Sequence, residues 1–255
     1  MSAAPEIEFE HVGKTFTRTG GRDPFEAVRD LSFSIARGEL VAILGKTGCG
    51  KSTTFGLISG LIRPSRGRVC VQGHDPYGEF NWFRGKIGIV FQNDRLMPWR
   101  TAIENVALGM ELNKVPERER RDIAAAWLQR LGLSGHENDY PHALSGGMRQ
   151  RVSIARAFAG KPGLLLCDEP FSALDEHTGN ALRREFRDLL RETGATSIFI
   201  THSIDEALQL GERLMVFERP ARIAFETRLA TGMGDAERGA VAGRIRQVLS
   251  GEIAA

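Results

Sequence analysis

The sequence predicts an α/β protein with a mostly parallel sheet, a small antiparallel sheet at its start and a helical insertion in its middle. Three observations carry this. Short apolar runs, "ELVAILG", "GLLLCDEP", "TSIFITH" and "RLMVFE", alternate with helical segments, the order of a parallel sheet covered by helices. Ahead of them, "IEFEHV" and "LSFSI" alternate apolar and polar residues as half-buried antiparallel strands do, with the polar "TRTGGRDP" between them. The middle of the chain carries helix-start signals in place of strands.

Taken in order, "ELVAILG" leads into a glycine loop, and Phe55, Leu57, Ile58 and Leu61 mark the helix that follows. "GRVCVQG" and "KIGIVFQ" read as further strands. Thr101 with Glu104 makes a capping box for "AIENVALGMEL", and Pro116 opens "ERERRDIAAAWLQRLGL". The closing "MGDAERGAVAGRIRQVLSGEIAA" reads as a peripheral helix. The expected organisation is one domain over 5–230, with the helical insertion at about 93–150, and a helical tail over 231–255.

Composition narrows the function. At 255 residues, 42% hydrophobic and 26% charged, the chain can bury a sizeable core. Its 34 basic and 32 acidic residues leave a net charge of +2, too little for a broad basic field, so nucleic acid is not expected as a partner. No apolar run approaches the roughly 18 to 20 residues of a spanning helix, and "MSAAPEIEFEHV" lacks the regions of a signal peptide. A cytosolic chain is expected, touching a membrane only through another protein. Cys49, Cys70 and Cys167 are too scattered for a disulfide framework or a zinc site.

The chemistry begins at "GKTGCGKST", Gly45 to Thr53. Gly45-x-x-x-x-Gly50-Lys51-Ser52 between a strand and a helix has the spacing of a phosphate-binding loop, in which bare backbone N–H groups cradle phosphates at a helix N-terminus. The expected ATP contacts are Gly45, Lys46, Thr47, Gly48, Cys49, Gly50, Lys51, Ser52 and Thr53. Lys51 reaches the β- and γ-phosphates and the Ser52 hydroxyl coordinates Mg²⁺, while Lys46, at a free position of the motif, is also suited to solvent. Cys49 sits at the positive end of the helix beside Lys51, which predicts a lowered pKa and reactivity with maleimide; Cys70 and Cys167 are expected as core thiols.

A second motif limits the activity. In "LLLCDEP", Asp168 ends an apolar strand, where a carboxylate can join a magnesium shell. Glu169 follows at the strand's C-terminal edge, placed to polarise an attacking water as general base.

A third motif is "ALSGGMRQRVSIARAFAG". With "LSGGMRQR" beside the phosphate loop and "LLLCDEP", nearly the whole chain resembles the ATP-binding cassette (ABC) ATPases. The resemblance implies a P-loop NTPase, RecA-like core hydrolysing ATP with Mg²⁺. It implies that Ser145, Gly146 and Gly147 face the γ-phosphate of ATP held by a second copy of the chain. It further implies that Gln92 touches Mg²⁺ and the attacking water, that His202 holds the γ-phosphate and orients Glu169, and that "SALD", ending at Asp175, links two active sites across a dimer. Phe16 stands where the family places an aromatic ring against adenine; as an apolar residue at a strand end it also suits the core.

One cassette with no fused membrane part resembles the separate ATPase subunit of a bacterial importer. "FQNDRLMPWRTAIENVALG", "DEPFSALDEHT", "HSIDEALQLGERLMVF" and "ERPARI" are similar to the nitrate, sulfonate and taurine branch. The branch implies transmembrane permease subunits, an external solute-binding protein acting through them, and a location on the inner face of the cell membrane. Ala221 replaces a glycine of that branch's pattern, and the transported solute is left open. Leu96, Pro98 and Trp99 are expected to help line the groove that receives a permease helix, with Trp99 also suited to the core. The alternatives are a cassette ATPase of DNA repair or translation, disfavoured by the missing coiled coil, basic face and second cassette, and an ATP-sensing adaptor, disfavoured by the presence of Glu169 and His202.

Overall fold

The computed structural model describes residues 4–17, 23–172, 174, 176–230 and 232–252. It divides into two compact units, Met1–Trp82 with Thr196–Ala255, and Phe83–Ala195.

The first unit holds two sheets. β1 (Ile7–Phe16) pairs antiparallel with β2 (Phe25–Ile35) on one side and with β4 (Arg66–Val71) on the other. Inward residues Phe9, Leu31 and Phe33 of this sheet are buried, as the alternating pattern requires, and Phe9 stacks on Phe33 at 4.5 Å. The other sheet centres on β3 (Leu40–Gly45), which is buried at every residue and pairs parallel with both β7 (Thr196–Thr201) and β8 (Arg213–Glu218). Burial on both faces explains why "LVAIL" shows no alternation. β9 (Arg222–Arg228) closes this sheet antiparallel to β8. The sheet is therefore mixed but mostly parallel.

Glu39 fixes the entry to β3. Its Oε2 accepts the Ala36 N–H at 2.9 Å, and its Oε1 lies 2.8 Å from Arg228 Nη2 and 3.5 Å from Arg213 Nη1. α1 (Lys51–Ile58) follows β3, and α6 (Ile204–Leu210) and α7 (Asp235–Ser250) complete the unit. Ala42, Leu44, Ala207, Leu214 and Val216 form one buried cluster that α7 joins through Ala242 and Ile245. Full burial of a residue of this size contributes about 1.5 to 3 kcal/mol, so Ile245 is the main anchor of α7.

The second unit pairs β5 (Ile87–Val90) parallel with β6 (Leu164–Asp168), Val90 opposite Cys167. Between them in sequence lie α2 (Ala102–Leu112), α3 (Glu117–Arg130) and α4 (Gly146–Ala159), and α5 (Glu176–Thr193) follows β6. The α2 capping box is present: Thr101 Oγ1 accepts from Glu104 N, and the Glu104 carboxylate accepts from Thr101 N at 2.8 Å. Pro116 caps α3. Phe158, Phe171 and Phe186 meet edge to face at 5.5 to 5.6 Å in the core of this unit. Buried Asn105 spends its amide on Met97 O, Arg100 O and Thr101 O while accepting from Met97 N at 2.7 Å. That pins the segment following Gln92 to α2.

Candidate functional site

In the first unit the strand-to-helix turn holds the phosphate loop. β3 ends at Gly45 and α1 begins at Lys51, with Gly50 as cap residue at φ +107°. No side chain caps α1 and no acid stands in its first turn, so its leading N–H groups and positive dipole end are open to an anion. The Lys51 ammonium folds over the loop, donating to Gly45 O at 2.6 Å and Lys46 O at 3.2 Å. Ser52 is exposed at the first turn.

Cys49 departs from expectation. It is 2% exposed, with its Sγ only 2.5 Å from where a Cβ on Gly45 would sit. Burial pushes the Cys49 thiol above its ordinary pKa, and the Lys51 charge offsets this only in part. Desolvation outweighs the helix dipole and the lysine that the sequence reading relied on. Burial raises Cys70 and Cys167 as well, but Cys70 is only half-buried where Cys49 and Cys167 are buried, so its thiol is the one a reagent can reach. At pH 7.5 maleimide should therefore label Cys70 first, with Cys49 and Cys167 at least about tenfold slower until the chain is unfolded. Mass spectrometry of the labelled peptides gives the order; fast labelling of Cys49 in the folded chain would restore the lowered pKa.

Phe16 lies at the end of β1, 36% exposed, with the Lys14 ammonium 4.9 Å from its ring centre. It is a surface ring, not a core residue. His202, also exposed, follows β7. Both of its neighbours are braced by Glu206, a buried acid on α6. Thr201 Oγ1 donates to Glu206 Oε2 at 2.5 Å and accepts from Ser203 N, and Ser203 Oγ accepts from Glu206 N at 3.3 Å. The sequence reading missed this brace, because an acid in a helix's first turn reads as a complement to the dipole.

In the second unit, the structure brings Gln92 and Glu169 together: Gln92 Nε2 donates to Glu169 Oε2 at 3.2 Å. Asp168 ends β6, half-buried, directly before Glu169. Glu169 has φ +46°, left-handed backbone that costs a non-glycine residue on the order of 1 kcal/mol. A turn holds it there, with Ser172 N and Oγ both donating to Glu169 O. Among the described residues no cluster of three or more His, Cys, Asp or Glu side chains is arranged to hold a metal.

Ser145 caps α4, its Oγ accepting from Met148 N at 3.3 Å. Ser145 and Gly146 are exposed, and the first turn of this 14-residue helix carries no acid. Asp175 lies outside the described residues. The second unit also has an apolar groove of about 360 Å³ lined by residues including Ile87, Ile89, Phe91, Met97 and Leu112. Met97 and Arg95 border it, whereas Leu96, Pro98 and Trp99 do not. Leu96 turns into the core and so does not face a partner, and Trp99 stands 71% exposed, so a core position for Trp99 does not hold. No helix among the described residues is long and apolar enough to cross a membrane.

A phosphate loop, a strand-end Asp-Glu pair and a Ser-Gly-Gly helix start on a mostly parallel α/β framework define a cassette ATPase. The family model described as "ABC transporter" matches residues 28–172, and the chain belongs to that family. It is an ABC ATPase of the importer branch. It is 40% identical over 252 residues to the taurine import ATP-binding protein TauB of Pseudomonas aeruginosa, covering 95% of this chain and 94% of that protein. It is 40% identical over 215 residues to the nitrate import ATP-binding protein NrtC of Synechococcus elongatus, covering 82% of this chain and 31% of that protein. Among solved structures, the ATP-binding cassette MJ0796, in a dimeric post-hydrolysis state bound to ADP and Pi, matches with a TM-score of 0.79 and 34% identity, covering 88% of this chain and 99% of that one.

Proposed function

We propose that the chain is the ATP-hydrolysing subunit of a bacterial importer, driving a small solute of the nitrate, sulfonate or taurine type through a separate permease. The observation that carries the hydrolytic part is the Gln92–Glu169 hydrogen bond at the end of β6. It holds the carboxylate in place as general base for a water, and the same bond leaves Gln92 Oε1 uncommitted.

Lys51 exchanges the carbonyls of Gly45 and Lys46 for phosphate oxygens when ATP enters, and the open N-terminus of α1 takes the remaining charge. In the second unit the Asp168 carboxylate and Gln92 Oε1 are hard oxygen donors of the kind that suits Mg²⁺ shared with phosphates, and in the first unit the exposed Ser52 hydroxyl is a donor of the same kind. Mg²⁺, when bound, neutralises charge developing on the phosphate oxygens. His202, fixed through its neighbours by Glu206, supplies a γ-phosphate contact, and Phe16 supplies a face for adenine.

Ser145, Gly146 and Gly147 serve the nucleotide of a second copy, so that each ATP lies between two chains. The dimeric state of the related cassette supports this reading. The apolar groove takes an amphipathic permease helix, which places the chain on the inner face of the membrane. Leu112 is 62% exposed at its rim, so Leu112→Glu should leave the fold intact. Co-expressed with its permease, this variant should lose co-purification and solute uptake, while ATP affinity of the free chain changes by less than about twofold. Intact uptake would remove the groove from the reading, and a chain that hydrolyses no ATP would remove the reading itself.

A further inference from the structure

Two parts of the second unit that serve different nucleotides in the proposed dimer are tied together by one side chain. Arg149 lies one turn inside α4. Its backbone N–H donates to Ser145 O at 2.9 Å, and its Nη1 donates to Leu144 O at 2.7 Å, so it grips the two residues that open the Ser-Gly-Gly turn. Helical side chains lean toward the N-terminus, and Nη2 accordingly lies 3.8 Å from where a Cβ on Gly146 would sit. The remaining nitrogen, Nε, donates to Asp94 Oδ2 at 2.9 Å. Asp94 stands two residues after Gln92, and its own backbone carbonyl accepts from Arg156 Nη2 at 2.6 Å, one helical stretch further along α4. A guanidinium engaged on two sides by a carboxylate and a carbonyl is held in direction as well as distance.

We propose that Arg149 and Asp94 are a positioning pair, fixing the anion-binding start of α4 to the loop that carries Gln92. Within one chain the order of contacts is Glu169 to Gln92, then Asp94 to Arg149, then Leu144 and Ser145. A shift of Gln92 in the chain's own site thereby moves the serine and glycines that meet the second copy's ATP. This rests on the sandwich reading of Ser145–Gly147 given above. Sequence reading had no access to the link, because its partners are 55 residues apart.

The test uses the full chain carrying Glu169→Gln, in which MgATP accumulates the dimer, with dissociation constants from sedimentation velocity. Arg149→Gln and Asp94→Ala should each weaken the dimer about tenfold or more, and the double variant should be no weaker than the worse single, since both delete one link. Binding of a fluorescent ATP analogue to dilute single chains should change by less than about twofold, because the phosphate loop is untouched. Gln92→Ala should shift the dimer constant by a larger factor when Asp94 is present than in Asp94→Ala, the difference being the part carried by the link; a purely structural role predicts the same Gln92→Ala effect in both backgrounds. Should Arg149→Gln fail to fold, Asp94→Ala keeps the grip of Arg149 on Leu144 and carries the comparison alone. Additive effects, or dimers as tight as the parent, overturn the pair. If Glu169→Gln alone fails to accumulate a dimer, the sandwich reading falls instead.

Discussion

Glu169→Gln should bind MgATP, turn it over about a hundredfold or more slowly, and collect as a dimer at protein concentrations where the parent is monomeric. The substitution keeps the size of the side chain and an amide oxygen for Gln92 Nε2, so the 3.2 Å contact survives while the basic carboxylate is lost. Binding through Lys51 and the α1 N-terminus does not involve Glu169, which separates affinity from turnover. Single-turnover hydrolysis and light scattering with MgATP measure the two effects. Turnover within about fivefold of the parent would falsify the role of Glu169 as base.

The second large effect is expected at Gly50. A Cβ there would lie 2.6 Å from Ala27 O and 2.6 Å from the Ala221 Cβ, on a backbone with φ +107°. The carbonyl belongs to β2 and the methyl to the turn before β9, so neither can swing away like the end of a flexible side chain. Gly50→Ala should cost about 3 kcal/mol or more and abolish nucleotide binding, because relief requires the loop to move. Gly48→Ala is the control for folding stability: φ is +79°, but nothing lies within 4 Å of its Cβ position, so only the strain of about 1 kcal/mol weighs on folding. Urea unfolding and titration with a fluorescent ATP analogue distinguish them. Equal losses in the two variants would show that crowding against Ala27 and Ala221 is not what demands a glycine.

Much of this architecture was legible in the chain because its signals are local. The all-buried run of β3, the glycine spacing after it and the Thr101–Glu104 box each lie within one element and its neighbours. Glu169 was named from its motif at a strand end and Gln92 from the family resemblance, and the structure brings the two together. What escaped depends on which way a side chain turns. At Cys49 the sequence shows a nearby lysine and a helix start, but not that the thiol tucks against Gly45, where loss of water outweighs both. Between Leu96 and Trp99 every residue is apolar, so nothing in the order of letters says that Leu96 faces the core, Met97 the groove and Trp99 the solvent. The Glu206 brace and the Arg149–Asp94 link are polar contacts set by packing, and no periodicity announces them.

The left-handed backbone at Glu169 sets two kinds of selection against each other. Glycine, and to a lesser degree asparagine, holds φ +46° at little cost, whereas glutamate is kept there by the turn through Ser172. Heat tolerance alone would drift this position away from an acid, and under the proposed role as base selection for ATP consumed holds it. A lineage freed from turnover therefore has a thermodynamically downhill route to losing its base while keeping its loop, its fold and its grip on nucleotide. Descendants that sense ATP without spending it would be reached by relaxation at one residue.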